Sequence, residues 1–198
     1  MNNYVPDEMV IKSCYYSILT FPFMTKPPIY PWFDRSFPQL LDARLLPAIL
    51  ERLANTPLRL RAKLANLPAG LLTLNPMGKW SVQEHIGHLL DLEPLWQGRW
   101  VDITHGAVTM READLSNRAT QEASHNNSSL AALLDEFEQA RQASIVQLRQ
   151  FRAKDLEMSS LHPRLEQPLN VTGLAYFVAE HDDHHLAFMS RIIERHRG

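Results

Sequence analysis

Cysteine is almost missing from this chain. Cys14 is its single example, so no internal disulfide can brace the fold. A lone thiol outside any metal or redox spacing is usually inert, and such cysteine usage fits a reducing cytoplasm. Long apolar runs are also missing: no stretch approaches the roughly 20 residues that a membrane helix needs. The N-terminus lacks the basic, apolar, small-residue order of a signal peptide, because Asp7, Glu8 and Lys12 interrupt it and Pro22 breaks the aromatic run that follows. A charge excess is missing as well. The formal charge is −2 with no basic stripe, which removes the electrostatic case for nucleic acid. No internal repeat or low-complexity tract is visible, and strand signals are almost absent.

What is present is a chain of 198 residues, 45% of them apolar, enough to bury a sizeable core. Residues 1–38 read as an extension. Prolines at positions 6, 22, 27, 28, 31 and 38 deny it long helices. Its aromatics (Tyr4, Tyr15, Tyr16, Phe21, Phe23, Tyr30, Trp32, Phe33) are too many for a disordered tail. Part of it is expected to lie against the body or a partner subunit. Met24 is a candidate start codon in place of Met1.

Residues 39–198 read as one helical domain with four long segments. The first runs from about Leu40 to Leu67, with Pro47 in its first turns and Pro57 expected to kink or break it. The second opens at Ser81, where Ser81 and Glu84 have the spacing of a capping box and Trp80 that of a hydrophobic staple. Val82, Ile86, Leu89, Leu92, Trp96, Trp100 and Ile103 then recur at helical spacing. The third runs from about Ser129 to Phe151, capped by Ser128 or Ser129. The fourth runs from about Thr172 to Arg195 and ends in basic residues, as the helix dipole favours. Long helices with so little strand signal predict an all-α four-helix bundle. The connections over 105–128 and 152–171 are long and polar, a feature often tied to function.

Histidine is abundant, at nine residues, and five of them fall in two runs, EHIGHLLDLE and EHDDHHLAFM. On a helical wheel with Leu174 at 0°, His181 falls at about −20° and His185 at about +20°, while His184 lies at about −80°. His181 and His185 therefore stack on the buried face, four residues apart and close enough to share an ion. Burying two imidazoles without partners costs about 1–3 kcal/mol each, which a shared metal would offset. A lone inward histidine is more often a hydrogen-bonded core residue than a ligand. The paired spacing makes the two readings even, and a third buried histidine from another helix tips them toward metal. In the second helix His85 lies nearer the centre of the apolar stripe and His88 toward its edge, so periodicity does not select His88.

At these residues the chain resembles the DinB-like superfamily, including its YfiT-like metal-dependent hydrolases. Lys79-Trp80-Ser81 with Glu84-His85-Ile86-Gly87-His88-Leu89 matches the family's W-S-x-x-E-x-x-x-H-L helix opening. Ala179-Glu180-His181-Asp182-Asp183-His184-His185-Leu186 matches its E-H-x-x-H-H segment. The resemblance covers about residues 40–195 and leaves the extension outside. It implies a bundle in up-down-down-up order, often dimeric, with His88, His181 and His185 as ligands of one divalent metal ion, zinc or nickel foremost. It also decides between His88 and His85.

Three histidine ligands leave a position for water or substrate, as catalytic sites do. Two chemistries follow: metal-dependent hydrolysis of a small amide or ester, and transfer to or from a low-molecular-weight thiol. The alternative is a non-catalytic metal-binding or stress-response module. Asp91 and Glu93 are candidates for orienting a ligand imidazole or for acid–base work, though both, like Asp182 and Asp183, read more readily as solvated helix charges. His162 and Arg164, and Asn126 with His125, Asn117 and Arg118, are candidate loop residues for a substrate mouth. The partners expected are a small-molecule substrate and a second copy of the chain, with neither nucleic acid nor membrane.

Overall fold

The computed structural model describes residues 27–196. The aromatics Tyr4, Tyr15, Tyr16, Phe21 and Phe23, together with Cys14 and Met24, lie outside the described residues. Four long helices form the body: α1 (Leu46–Leu64), α2 (Val82–Thr104), α3 (Leu130–Gln150) and α4 (Val171–Arg195). Three of them start where short polar side chains can satisfy first-turn amides. Ser81 and Glu84 form the full reciprocal capping box on α2. Ser129 accepts from the Ala132 amide at α3. Asn170 accepts from the Gly173 amide at α4, and its own amide donates to the Leu41 carbonyl at 2.7 Å, tying α4 to the segment before α1. Trp80 meets His85, its staple partner in α2, with ring centroids 5.6 Å apart.

Paired contacts give the helix directions. Thr56 meets Asp182 and Lys63 meets Ser190, so α1 and α4 run the same way. Arg141 meets the Leu53 carbonyl and Asp135 meets Arg61, so α3 opposes α1. His85 meets His185 and Trp96 meets Phe177, so α2 opposes α4. The order is up-down-down-up, and α3 and α4 each pack against both α1 and α2. Because α2 and α3 run parallel, the chain between them must travel back the length of the bundle. This is why the 105–128 connection is long.

The interior is apolar above and below one polar layer. One apolar cluster gathers around Leu53, Trp96, Trp100, Ile145 and Phe177. The other gathers around Leu60, Leu89, Phe137, Leu186 and Met189. Between them, every helix contributes a buried polar side chain: Thr56, Glu93, Arg141 with Ser144, and Asp182. The Arg141 guanidinium donates to Glu93 at 2.8 Å, to both Asp182 oxygens at 2.5 and 3.0 Å, and to the Leu53 carbonyl at 3.2 Å. Ser144 donates to the second Glu93 oxygen at 2.5 Å and Thr56 donates to Asp182 at 2.7 Å. Burial opposes the charge on Arg141, but attraction from Asp182 and Glu93 outweighs it and holds the guanidinium well above its usual range.

This layer also explains a difference from the sequence reading. The expectation for Pro57 is a kink or a break of α1, and the break does not occur: the helix runs through it. Proline has no amide hydrogen, so the carbonyl four residues earlier, that of Leu53, loses its helical donor. Arg141 supplies the missing hydrogen bond from α3. The second difference is a small hairpin, β1 (Ser159–His162) and β2 (Gln167–Asn170), antiparallel with Ser159 opposite Asn170. Strands of four residues are too short for alternation to stand out in sequence. The hairpin turn carries His162 and Arg164 and leads straight into α4.

Arg141→Ala is expected to lower the unfolding free energy by about 3–5 kcal/mol, since it strands two buried carboxylates and one carbonyl. Urea denaturation against the wild-type chain measures this, and a loss below about 1 kcal/mol would show that the layer does not brace the bundle.

Candidate metal centre

Three buried histidines converge from two helices. α2 contributes His88, and α4 contributes His181 and His185 one turn apart. Each offers a ring nitrogen, and the three nitrogens lie within 4.8 Å of one another. No carboxylate or thiol among the described residues joins this group. Nε2 of His181 faces Nε2 of His185 at 3.1 Å. Two nitrogens bound at about 2.05 Å to one tetrahedral ion are about 3.3 Å apart, so the existing spacing already suits a shared cation. Without a cation one of these rings must donate to the other, and Nδ1 of His181 has no partner among the described residues.

Charge points the same way. Burial, and then the neighbouring His85 and His125, push His88 down to about 3. Burial and the adjacent histidines hold His181 and His185 well below the usual imidazole range. All three rings are therefore neutral near pH 7, which is the form that binds a metal.

The surrounding hydrogen bonds set which nitrogen each ring presents. Thr120 gives its hydroxyl proton to Asp91 at 2.8 Å. Its oxygen can then only accept from Nδ1 of His88, 3.1 Å away. That fixes the Nδ1–H tautomer and leaves Nε2 of His88 as the free ligand atom. His125 also holds Asp91, Nε2 to Oδ2 at 2.9 Å. Its ring lies against the bare Cα of Gly87: a Cβ there would come within 2.1 Å of it. On the other side, Nδ1 of His85 lies 2.8 Å from Nδ1 of His185. His85 thus stands beside the triad as a support for one of its members.

The triad forms one wall of a cavity of about 510 Å³. Trp80 covers His88, with ring centroids 4.6 Å apart. Trp32, from the extension, packs edge-on to His181 at 5.0 Å and also touches Phe177 and Phe37. Nearby Arg35 donates to Nδ1 of His184 at 3.2 Å. The hairpin brings His162, Pro163 and Arg164 to the lining of the same cavity.

The loop and helix candidates therefore separate. His162 and Arg164 line the cavity. Asp91 reaches His88 through Thr120. Glu93 is held by Arg141 and Ser144 in the bundle interior, and Asp182 with it. Asp183 pairs with Arg52 and Arg59 on the flank. Asn126 is bonded to Ser81, and Asn117 lines the cavity rim. Sequence reasoning missed Thr120, and no signal marks one threonine in a polar loop. It also missed Arg99, placed on the cavity by helical phase and hidden among apolar neighbours.

Comparison with known proteins agrees with this architecture. The DinB superfamily model matches residues 52–189, and the chain belongs to that superfamily. No functionally curated protein matches the chain. Among solved structures, YfiT from Bacillus subtilis superposes with a TM-score of 0.70 at 15% identity, covering 81% of this chain and 93% of YfiT. YfiT is described as a probable metal-dependent hydrolase with an unusual four-helix bundle topology. Among the described residues of the present chain, no helix is long and apolar enough to cross a membrane.

The neutral buried rings imply an acid-labile metal-free protein. His85 and His184 are depressed to about 4, and His88 and His162 to about 3, chiefly by burial. Below the unfolded value of about 6.5 the unfolded chain binds protons that the folded chain refuses, so stability falls as pH falls. Between pH 6.5 and 4.5 the metal-free chain should lose at least about 1.4 kcal/mol per pH unit, measured by urea denaturation in chelator. A flat profile would mean that these rings are not held neutral.

Proposed function

We propose that this chain is a metal-dependent enzyme whose divalent ion is held by His88, His181 and His185, and that it hydrolyses a small ester or amide. The observation carrying this reading is the donor set: three neutral buried imidazoles with no carboxylate or thiol among the described residues as fourth partner, on the wall of a substrate-sized cavity. Structural metal sites are closed by four protein ligands, whereas catalytic sites keep one position open. A divalent ion bound by neutral ligands keeps its full charge and supplies Lewis acidity, polarising a carbonyl and making water or a thiol more acidic. The hydrolase description of YfiT, a structural relative, agrees with the choice of reaction.

The chain's own residues divide the remaining work. Asp91, through Thr120, keeps the proton of His88 on Nδ1. His185 donates its Nδ1–H to Nδ1 of His85, so the Nε2 lone pair of His185 stays directed inward. Trp32, Trp80 and Trp96 wall the triad with apolar surface and limit water. His85 and His184 both line the cavity with Nδ1 already engaged, by His185 and Arg35, so each neutral ring is left with Nε2–H to offer a bound group as a hydrogen-bond donor.

One observation favours a second reading, transfer involving a low-molecular-weight thiol. Glu93 is committed to Arg141 and Asp91 to Thr120 and His125, so neither is directed at the triad as a carboxylate base. A thiol brings its own acidic proton and ionises more readily than water, and so depends less on such a base.

Elemental analysis of the purified chain should find about one equivalent of divalent metal, and none in His181→Ala or His185→Ala. His85→Ala should still bind one equivalent at saturation, with affinity lower by about tenfold. Metal retained in His181→Ala would refute the assignment. For activity, the loaded protein is tested on aryl acetates and anilides with and without an added thiol. Turnover without thiol supports the hydrolase, thiol-dependent product supports transfer, and metal binding with neither leaves a binding module.

A further inference from the structure

Part of the cavity lining is cationic. Arg99 of α2 and Arg164 of the hairpin turn both line it, and neither makes an ion pair with any described residue. Arg99 is 2% exposed. It uses Nε on the Arg111 carbonyl at 3.0 Å and Nη1 on Nε2 of His162 at 2.9 Å. Arg164 is packed among three rings, with Cζ 5.3 Å from the Phe33 centroid, 5.6 Å from Phe177 and 5.8 Å from Trp32. Aromatic faces stabilise a guanidinium without using its in-plane N–H donors. Consistent with that, Nη2 of Arg164 is buried and has no hydrogen-bond partner among the described residues.

An unpaired buried donor on a cation is costly unless something fills the place. The nearby acids do not. Asp102 is bonded to Arg111 through both oxygens, at 2.8 and 2.9 Å. Glu112 and Asp114 reach the cavity only from its exposed rim, and Asp114 accepts from the Ser116 and Arg118 amides. His162 adds no negative charge, since burial and the two arginines keep it neutral. This part of the lining is thus a positive field in a partly dehydrated pocket, where charge attraction is strong.

Aromatic rings touch both the arginines and the triad. Trp96 lies 5.5 Å from the Arg99 guanidinium and 5.8 Å from the His181 imidazole. Trp32 similarly touches both Arg164 and His181.

We propose that Arg164 and Arg99 form an oxyanion-recognition subsite, so that the substrate of this enzyme carries a carboxylate or phosphate separated by a short apolar span from the group that meets the histidines. This rests on the enzyme reading for the reacting end, but the anion subsite involves none of the three histidines. A planar guanidinium edge pairs with either oxyanion through two parallel hydrogen bonds, which an ammonium cannot reproduce. Trp32 and Phe33 lie outside the matched superfamily region. The extension therefore helps to hold Arg164 and contributes to the choice of substrate.

The test is isothermal titration of the full-length chain with benzoate, phenyl phosphate and neutral benzamide, in wild type, His181→Ala, Arg164→Met and Arg164→Lys. Benzoate or phenyl phosphate should bind wild type and His181→Ala alike, and the preferred one identifies the oxyanion. Benzamide should bind at least tenfold more weakly. Arg164→Met should lose at least tenfold in anion affinity, and Arg164→Lys, which keeps the charge but not the fork, should fall between. Circular dichroism confirms that each variant is folded. Equal binding of benzamide and benzoate, or unchanged affinity in a folded Arg164→Met, overturns the subsite. Anion binding that vanishes in His181→Ala overturns it too, because the anion would then be held at the metal. Anion binding retained in a chain that takes up no metal supports the subsite while removing the enzyme reading, so the two failures stay distinct.

Discussion

The bundle is organised around one buried cation. Arg141 lies in a dehydrated layer between two apolar clusters, and a guanidinium there is tolerable only if its donors are used. Its partners come from all the other helices: Leu53 of α1, Glu93 of α2 and Asp182 of α4. Apolar packing alone would accept small rotations of each helix, because hydrophobic contact is non-directional. Hydrogen bonds to a rigid fork are directional, so the layer sets the rotation and register of each helix. The consequence for the site is direct. Asp182 is the residue after His181, and Glu93 is five residues beyond His88. Fixing the two carboxylates against Arg141 also fixes the faces on which the three histidines meet.

The site built on this frame combines two kinds of electrostatic environment. At one wall, burial keeps imidazoles neutral and directs lone pairs toward a common point. Elsewhere in the lining, two guanidiniums have no direct carboxylate partner among the described residues, and Asp102 acts on Arg99 without a contact. Aromatic rings, Trp32 and Trp96 above all, touch both and keep the interior apolar. A small cation suits the first and an anion suits the second. The cavity is therefore polarised, a property that orients a ligand as well as binding it. Much of the equipment comes from outside the helices. The 105–128 connection brings Thr120 and His125 to α2, and the hairpin before α4 brings His162 and Arg164.

The helices were legible because their signals are local. Ser81 with Glu84, Ser129 and Asn170 are capping residues acting on amides two or three positions away, and apolar recurrence every three to four residues shows which face is buried. Two expectations about backbone were revised for the same underlying reason. Pro57 does not break α1, because a donor from α3 completes the helix. The hairpin was invisible, because its strands gain their order from each other and from the bundle beneath. The histidines of α4 were readable as an inward pair from phase alone. The choice of His88 over His85 was not, since helical phase favoured His85 and only family resemblance spoke for its neighbour.

What the sequence determined by itself was therefore what is set within a turn or two of chain: four amphipathic helices, the starts of the last three, and His181 and His185 side by side on one buried face. The tertiary structure decided which polar residues meet. It placed Glu93 against Arg141 in the core, Asp91 behind His88 through a threonine 29 residues away, and Arg99 beside Arg164 across one cavity. The physical reason lies in range. Capping and helical periodicity act over a few residues of backbone. A buried charge or imidazole must find its partner wherever the fold brings one within about 3 Å, and sequence separation carries no information about that distance.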